Sequence, residues 1–191
     1  MYTIDYTPYK LRDWVCTPFE KVFWMNLSEN PNAIHLLEQN PHKINWECLS
    51  SNPNAIHLLE QNPEKIDWWY LSYNENAIHL LEQNMDKIDW NELSGNPNAV
   101  HLLTQNQDKR NWEDLSMNEN AIHLLEQNQD KIDWILLSRN PKAIHLLEKH
   151  VDKIHWECLI ENPEATQLLK DKFLEPNQDK ISVKNLLTNP A

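Results

Sequence analysis

The sequence predicts an all-α protein, an α/α solenoid of seven two-helix repeats with irregular caps at its two ends. Three observations carry that prediction. Trp24, Trp46, Trp68, Trp90, Trp112, Trp134 and Trp156 recur at a constant spacing of 22. A fixed period of this length marks a repeat architecture in which each unit buries a face only against its neighbours. Leu follows each of these tryptophans by three residues and Asn by six, without a slip. Within each repeat the apolar positions fall at helical spacing and do not alternate.

Residues 1–22 break the pattern and read as an N-terminal cap. The array occupies 23–170, with repeats starting at 24, 46, 68, 90, 112, 134 and 156, and one continuous solenoid domain is expected. In 171–191 the frame stretches by five, Val183 and Leu186 taking the Trp and Leu places, and this stretch reads as a C-terminal cap.

The consensus is DWxxLSxNPNAIHLLEQNPxKI. A first helix, helix A, starts at the Trp. Asp67 suits its N-cap, Ile66 and Leu71 are placed as a hydrophobic staple, and Asp89 with Glu92 has capping-box spacing. A second helix, helix B, follows in NPNAIHLLEQN, with Asn30 as N-cap, Pro31 at the first helical position and Asn40 at the exit. Ala33, Ile34, Leu36 and Leu37 share one side of it, and His35, Glu38 and Gln39 the other. The expected core is therefore Trp and Leu from helix A with Ala, Ile, Leu and Leu from helix B. Neither helix is long enough to persist alone, so stacking must stabilise both.

A 22-residue period also lies in the leucine-rich-repeat range, and Trp, Leu, Asn32 and Ile34 match four places of that signature. The remaining place should point inward from a strand. Here it holds Glu29, Ser51, Tyr73, Gly95, Met117, Arg139 and Glu161, often with Pro two residues on, which suits a strand poorly. A leucine-rich-repeat-like horseshoe with the same binding role is the alternative fold.

The stretch LSxNPNAIHLLEQNPxKIDW, over roughly residues 24 to 170, resembles the short Trp and Asn-Pro repeats of uncharacterised proteins encoded by large DNA viruses of amoebae. The resemblance implies a viral origin and an array that binds something, and it supplies no catalytic residues. A second similarity, to leucine-rich-repeat-variant solenoids with an Asn-Pro step per short helical repeat, supports the helical reading.

With 17 basic against 29 acidic side chains and a formal charge of -12, the chain lacks the electrostatic footprint that nucleic acid requires. No apolar run reaches the roughly twenty residues of a membrane span, and MYTIDYTPYKLRDW lacks the order of a secretory signal. The expected location is the host-cell cytoplasm or the virion, without secretion. Cys16, Cys48 and Cys158 are an odd, irregular set and no disulfide framework. Cys48 and Cys158 share a helix A place five repeats apart, about 50 Å at one helix diameter per repeat, so they cannot pair within the chain.

His35, His57, His79, His101, His123 and His145 recur once per repeat, whereas a catalytic site needs one constellation in one place. A metal ladder would pair His79 with Glu82 three residues on, but equivalent positions in stacked helices lie about 10 Å apart, too far to share one ion. His101 meets Thr104 instead of Glu. The column reads as exposed or inter-repeat hydrogen-bonding histidine, with a pH-dependent role on protonation as the alternative. The chain is thus expected to be non-enzymatic, with no cofactor, no metal and no small-molecule substrate.

Positions that stay fixed between copies hold the array, and positions that drift are free to specify a partner. The drifting places lie one, two and five residues after each Trp and form one face of helix A opposite the core. On it stand Trp69, Tyr70 and Tyr73 in one repeat and Ile135 and Leu136 in another, with Glu47, Glu92 and Arg139 as a charged rim. These place the partner-binding surface on helix A, for a host or viral protein bearing an apolar or basic segment. A self-assembling structural component of the virion is the alternative function.

Overall fold

The computed structural model describes residues 17–174. They are helical throughout, without a strand among them. The place that a leucine-rich repeat would put on a strand is occupied here by residues at or just past the end of helix A, so the horseshoe alternative is set aside. Leu three residues after Trp is the i, i+3 neighbour on one helix face, and that spacing is what imitated the leucine-rich signature.

The chain divides into two compact units between Asp67 and Trp68. In the first, α1 (Thr17–Glu29) and α3 (Trp46–Ser51) are the A helices, and α2 (Ile34–Gln39) and α4 (Ile56–Gln61) the B helices. In the second, the A helices are α5 (Trp68–Tyr73), α7 (Trp90–Gly95), α9 (Trp112–Met117), α11 (Trp134–Leu137) and α13 (Trp156–Leu159). The B helices are α6 (Ile78–Gln83), α8 (Val100–Gln105), α10 (Ile122–Glu126), α12 (Ile144–Lys149) and α14 (Thr166–Leu169). α1 packs on α3 in the first unit, and α5, α7, α9 and α11 lie side by side in that order in the second.

α1 reaches back to Thr17, well before Trp24, so part of the stretch expected as irregular cap already belongs to the first A helix. At the other end α14 passes into a π-helical turn, Lys170–Leu174. Val183 and Leu186 lie outside the described residues, as do Cys16 and the chain before it.

Helix B starts later than expected. Asn30 caps a 3-10 turn, Pro31–Ala33, and the α-helix begins only at Ile34. The same delay recurs at Ile56, Ile78 and Val100. Its cause is the Asn side chain. Asn52 Oδ1 accepts the Asn54 N–H at 3.0 Å, and Asn118 Oδ1 that of Asn120 at 3.0 Å. These side chains close a turn two residues on, which competes with helix there. The following Ala then stands at the helix start without a side-chain cap.

Helix A is capped as expected at its start, but only half of the capping box forms. Asp89 Oδ1 accepts the N–H groups of Asn91 and Glu92 at 3.0 and 3.2 Å. The Asp89 N–H, which Glu92 would have bonded, donates instead to Ser72 Oγ of the preceding A helix at 3.0 Å. Asn111 N–H goes likewise to Ser94 Oγ at 2.9 Å. In the first unit Asn45 and Asp67 donate to Ser28 and Ser50 Oγ, each at 3.0 Å. Each Ser also donates to the Trp carbonyl four residues back, as Ser94 does to Trp90 at 2.7 Å. One hydroxyl thus closes its own helix and grips the start of the next.

A second seam is the Asn column. Asn118 Nδ2 donates to Ser94 O at 2.9 Å and to Asn96 O at 3.0 Å. Asn96 does the same to Ser72 and Asn74, Asn162 to Ser138 and Asn140, and in the first unit Asn52 to Ser28 and Asn30. These Asn side chains are buried. The Ser carbonyl near the C-terminus of each A helix would otherwise be orphaned, and the next repeat's Asn satisfies it, while the Asn carbonyl beside it also accepts the N–H of the Ala three residues on, as Asn96 O does from Ala99 at 3.1 Å.

The apolar core differs from expectation at three positions. The Leu of helix A from Leu49 on, the Ala, and the second Leu of helix B from Leu37 to Leu147 are enclosed. The Ile that opens helix B is only half-buried. The Ile before helix A belongs to the core in the second unit, where Ile88, Ile132 and Ile154 are buried. Apart from Trp24, the repeat tryptophans are half-buried too. A Lys from the turn that leads into the next A helix lies over the ring: Lys65 over Trp46 at 4.5 Å, Lys87 over Trp68 and Lys109 over Trp90 at 4.7 Å, Lys131 over Trp112 at 4.9 Å and Lys153 over Trp134 at 5.2 Å. Each such cation-π contact contributes about 0.5–1 kcal/mol at an exposed site, so the ring braces the turn between repeats as well as lining the core. Arg110 replaces the core Ile in one repeat. Its Nε donates to Leu103 O at 2.8 Å and its guanidinium lies over Trp112, while burial lowers its pKa.

Candidate functional site

The fixed residues are consumed by these seams, which leaves the outer face of helix A. On α5, Trp69 is 50% and Tyr73 58% exposed. Tyr70 is half-buried and meets Trp69 edge-on, with ring centroids 4.7 Å apart and planes at 85°. On α11, Ile135 is 49% exposed. Leu136 beside it is half-buried, its N–H capped by Asp133 Oδ1 at 2.9 Å. Arg139 is exposed and its Nε donates to Glu161 Oε2 at 2.9 Å. That bond, one place along the same drifting column, holds the guanidinium more firmly protonated.

Between α5 and α11 the face is continued by α7 and α9. Gly95, the one glycine of the chain, ends α7. A Cβ there would meet the Tyr73 ring at 3.7 Å and the Asp114 side chain at 4.0 Å. Tyr73 and Asp114 are thus brought together over a low floor, with Met117, 49% exposed, at the end of α9. Glu92 stands two residues after Trp90, as Asp114 does after Trp112.

Glu92 and Asp114 both have raised pKa values. Burial is the main cause for each. For Glu92 the neighbouring charges of Asp114 and Asp89 add to it, and for Asp114 those of Glu113 and Asp89. These are third residues of their helices, where a negative charge is ordinarily welcome, but helices this short carry too small a dipole to offset the crowding.

A raised folded-state pKa means that the native state favours the protonated form. The resulting penalty is fully felt at neutral pH, is relieved as pH falls through the raised values, and is gone below the ordinary carboxylate range. Asp114→Asn is therefore expected to stabilise the protein slightly at pH 7, by a fraction of a kcal/mol since the carboxylate is still partly solvated. It should leave stability unchanged near pH 3. Urea unfolding of both proteins at the two pH values checks this, and an equal gain at both would show that charge is not the cause.

Asp114 and Met117 escape sequence reasoning as binding residues, although both occupy drifting places. Neither stands out by residue type, and only the packing of α9 beside Gly95 brings Asp114 near Tyr73.

The histidine column serves elsewhere. His57 Nε2 lies 2.9 Å from Glu38 Oε1, His101 2.8 Å from Glu82 and His145 2.8 Å from Glu126. Each His meets the Glu of the preceding repeat, and His57 and His145 do so in place of the Glu three residues on in their own helices, which makes these pairs a third inter-repeat seam. No group of three or more His, Cys, Asp or Glu that could hold a metal ion occurs among the described residues. The Cys48 thiol is pushed up by burial and by the charges of Glu29 and Glu47, the opposite of what a nucleophile needs. No helix among the described residues is long and apolar enough to cross a membrane.

No family model, curated protein or solved structure matches the chain.

Proposed function

We propose that this chain is a non-enzymatic repeat scaffold that binds a host or viral protein on the outer face of its A helices. The observation that carries the reading is the partition of side chains. Trp, Leu, Ser, Asn, Ala, His and Lys are repeated and are used in core or seams. The large apolar side chains that break the repeat, Trp69, Tyr73, Met117 and Ile135, are each about half exposed or more. Exposed aromatics cost solubility unless used, and they are the usual anchors of protein interfaces. The resemblance to repeats of large DNA viruses of amoebae supports a role in the cytoplasm of an infected cell or in the virion.

The test is affinity capture from an amoebal host-cell lysate with mass-spectrometric readout. Wild type is compared with a Trp69→Ala, Tyr70→Ala, Tyr73→Ala variant whose circular dichroism matches it. A protein retained by wild type alone is the expected result. Identical captures would overturn the assignment of this face. Recovery of the chain itself, with mass rising with concentration, would replace the scaffold by a self-assembling component.

A further inference from the structure

The face carries charge as well as apolar surface, and two of its charges are unspent. Glu92 and Asp114 hold equivalent places on the adjacent helices α7 and α9, half-buried, and neither carboxylate has a hydrogen-bond or ion-pair partner among the described residues. The reason lies in the fold. At the third residue of a helix their ordinary task is to accept the N–H of the cap residue, but Ser72 and Ser94 of the preceding A helices have taken those N–H groups. Lys87, Lys109 and Lys131, in the turns that lead into α7, α9 and α11, lie over tryptophan rings. Two partly desolvated carboxylates therefore stand near each other on this face, Asp114 sharing the gap left by Gly95 with the Tyr73 ring. Exposed apolar side chains lie to either side, Trp69 on α5 and Met117 and Ile135 on α9 and α11.

We infer that the occupant of this face is a protein segment in which a lysine or arginine is flanked by apolar side chains. Its cation seats on Glu92 and Asp114 against the Tyr73 ring, and its apolar neighbours cover Trp69, Met117 and Ile135. This rests on the scaffold reading above and names the chemistry of the partner. Charge complementarity selects it. A neutral or acidic segment would bury the two carboxylates further without compensation, which is costly, whereas a cation supplies an ion pair and a cation-π contact at one point. The chain's charge of -12 favours encounter with a basic segment and opposes one with nucleic acid. Two carboxylates without a third ligand suit the ammonium or guanidinium of a side chain better than a free metal ion.

The test selects short random peptides, displayed on phage, against the full-length chain. The enriched peptides are then synthesised and their affinities measured for wild type, for Glu92→Gln with Asp114→Asn, and for Trp69→Ala with Tyr73→Ala. The expected result is enrichment of Arg or Lys beside aliphatic or aromatic residues. Affinity should fall by about tenfold or more in the amide variant, and similarly when citrulline replaces the peptide's arginine, with a weakening by added salt that the amide variant lacks. Peptides that lose binding in the aromatic variant but lack a basic residue, or bind the amide variant equally well, would overturn the inference and leave the scaffold standing. Peptides indifferent to both variants, or no enrichment at all, would overturn the inference and count against the face itself. The amide pair preserves shape, and matching circular dichroism with a melting temperature no lower than wild type excludes misfolding as the cause of a loss.

Discussion

Asn118→Ala is expected to destabilise the second unit by about 2–3 kcal/mol, since removing one partner of a buried hydrogen bond exposes the full desolvation cost of the group left behind. The amide is 2% exposed. It satisfies Ser94 O and Asn96 O, at 2.9 and 3.0 Å, and accepts from Asn120 N–H at 3.0 Å. Alanine leaves Ser94 O without a partner, takes one of two donors from Asn96 O, which keeps the Ala99 N–H at 3.1 Å, and frees the N–H of Asn120, an exposed residue. Asn118→Asp separates the donor from the shape. It keeps the volume and the acceptor but sets a carboxylate against two carbonyls, so it should cost at least as much as alanine at neutral pH. Equilibrium urea unfolding reads both. A loss below about 1 kcal/mol for alanine would mean that water reaches the site and that the Asn column is not a seam. Because a solenoid's stability is a sum of repeat and neighbour terms, the same variant should broaden the transition as the repeats on either side of residue 118 uncouple.

The second large effect is expected in the leucine column. Leu103 is fully enclosed, as are Leu81 and Leu125 at the same place in the flanking repeats. Leu103→Ala removes three carbons from a packed layer and should cost about 2–5 kcal/mol, the upper part of the range applying if the neighbouring repeats cannot close the gap. Leu103→Met keeps the volume and should cost under about 1.5 kcal/mol. Thermal and urea unfolding of the pair give the comparison, and similar losses for both would point to strain and not to a cavity. Hydrogen exchange adds the location: protection should fall most at α6, α8 and α10, because each repeat feels chiefly its neighbours.

These effects also mark how far the amino-acid sequence can be read unaided. The period of 22 and the helical spacing within it are enough for the fold class, for the starts of the A helices after the first and for the outward face with Trp69, Tyr73 and Ile135 on it. All of these follow from one helix at a time, where 100° per residue decides which side chains share a side. The delayed start of helix B is not legible in this way. An Asn before a helical run reads as its cap, whereas here the side chain closes a turn and donates onward to the preceding repeat.

What only the tertiary structure decided is which groups, far apart in the chain, meet when one repeat settles on the next. The tryptophans read as core and are half-buried, each under a lysine from the turn that leads to the next A helix. His101 pairs with Glu82 of the preceding repeat, and Ser94 takes the N–H of Asn111 at the start of the next A helix. That last exchange, with its counterpart at Ser72, leaves Glu92 and Asp114 without the bonds their sequence positions suggest. Periodicity states that such residues recur but not the offset at which stacked repeats bring them into contact. The offset follows from how one pair of helices settles on the next, which no single repeat encodes because no single repeat buries enough surface to fold alone.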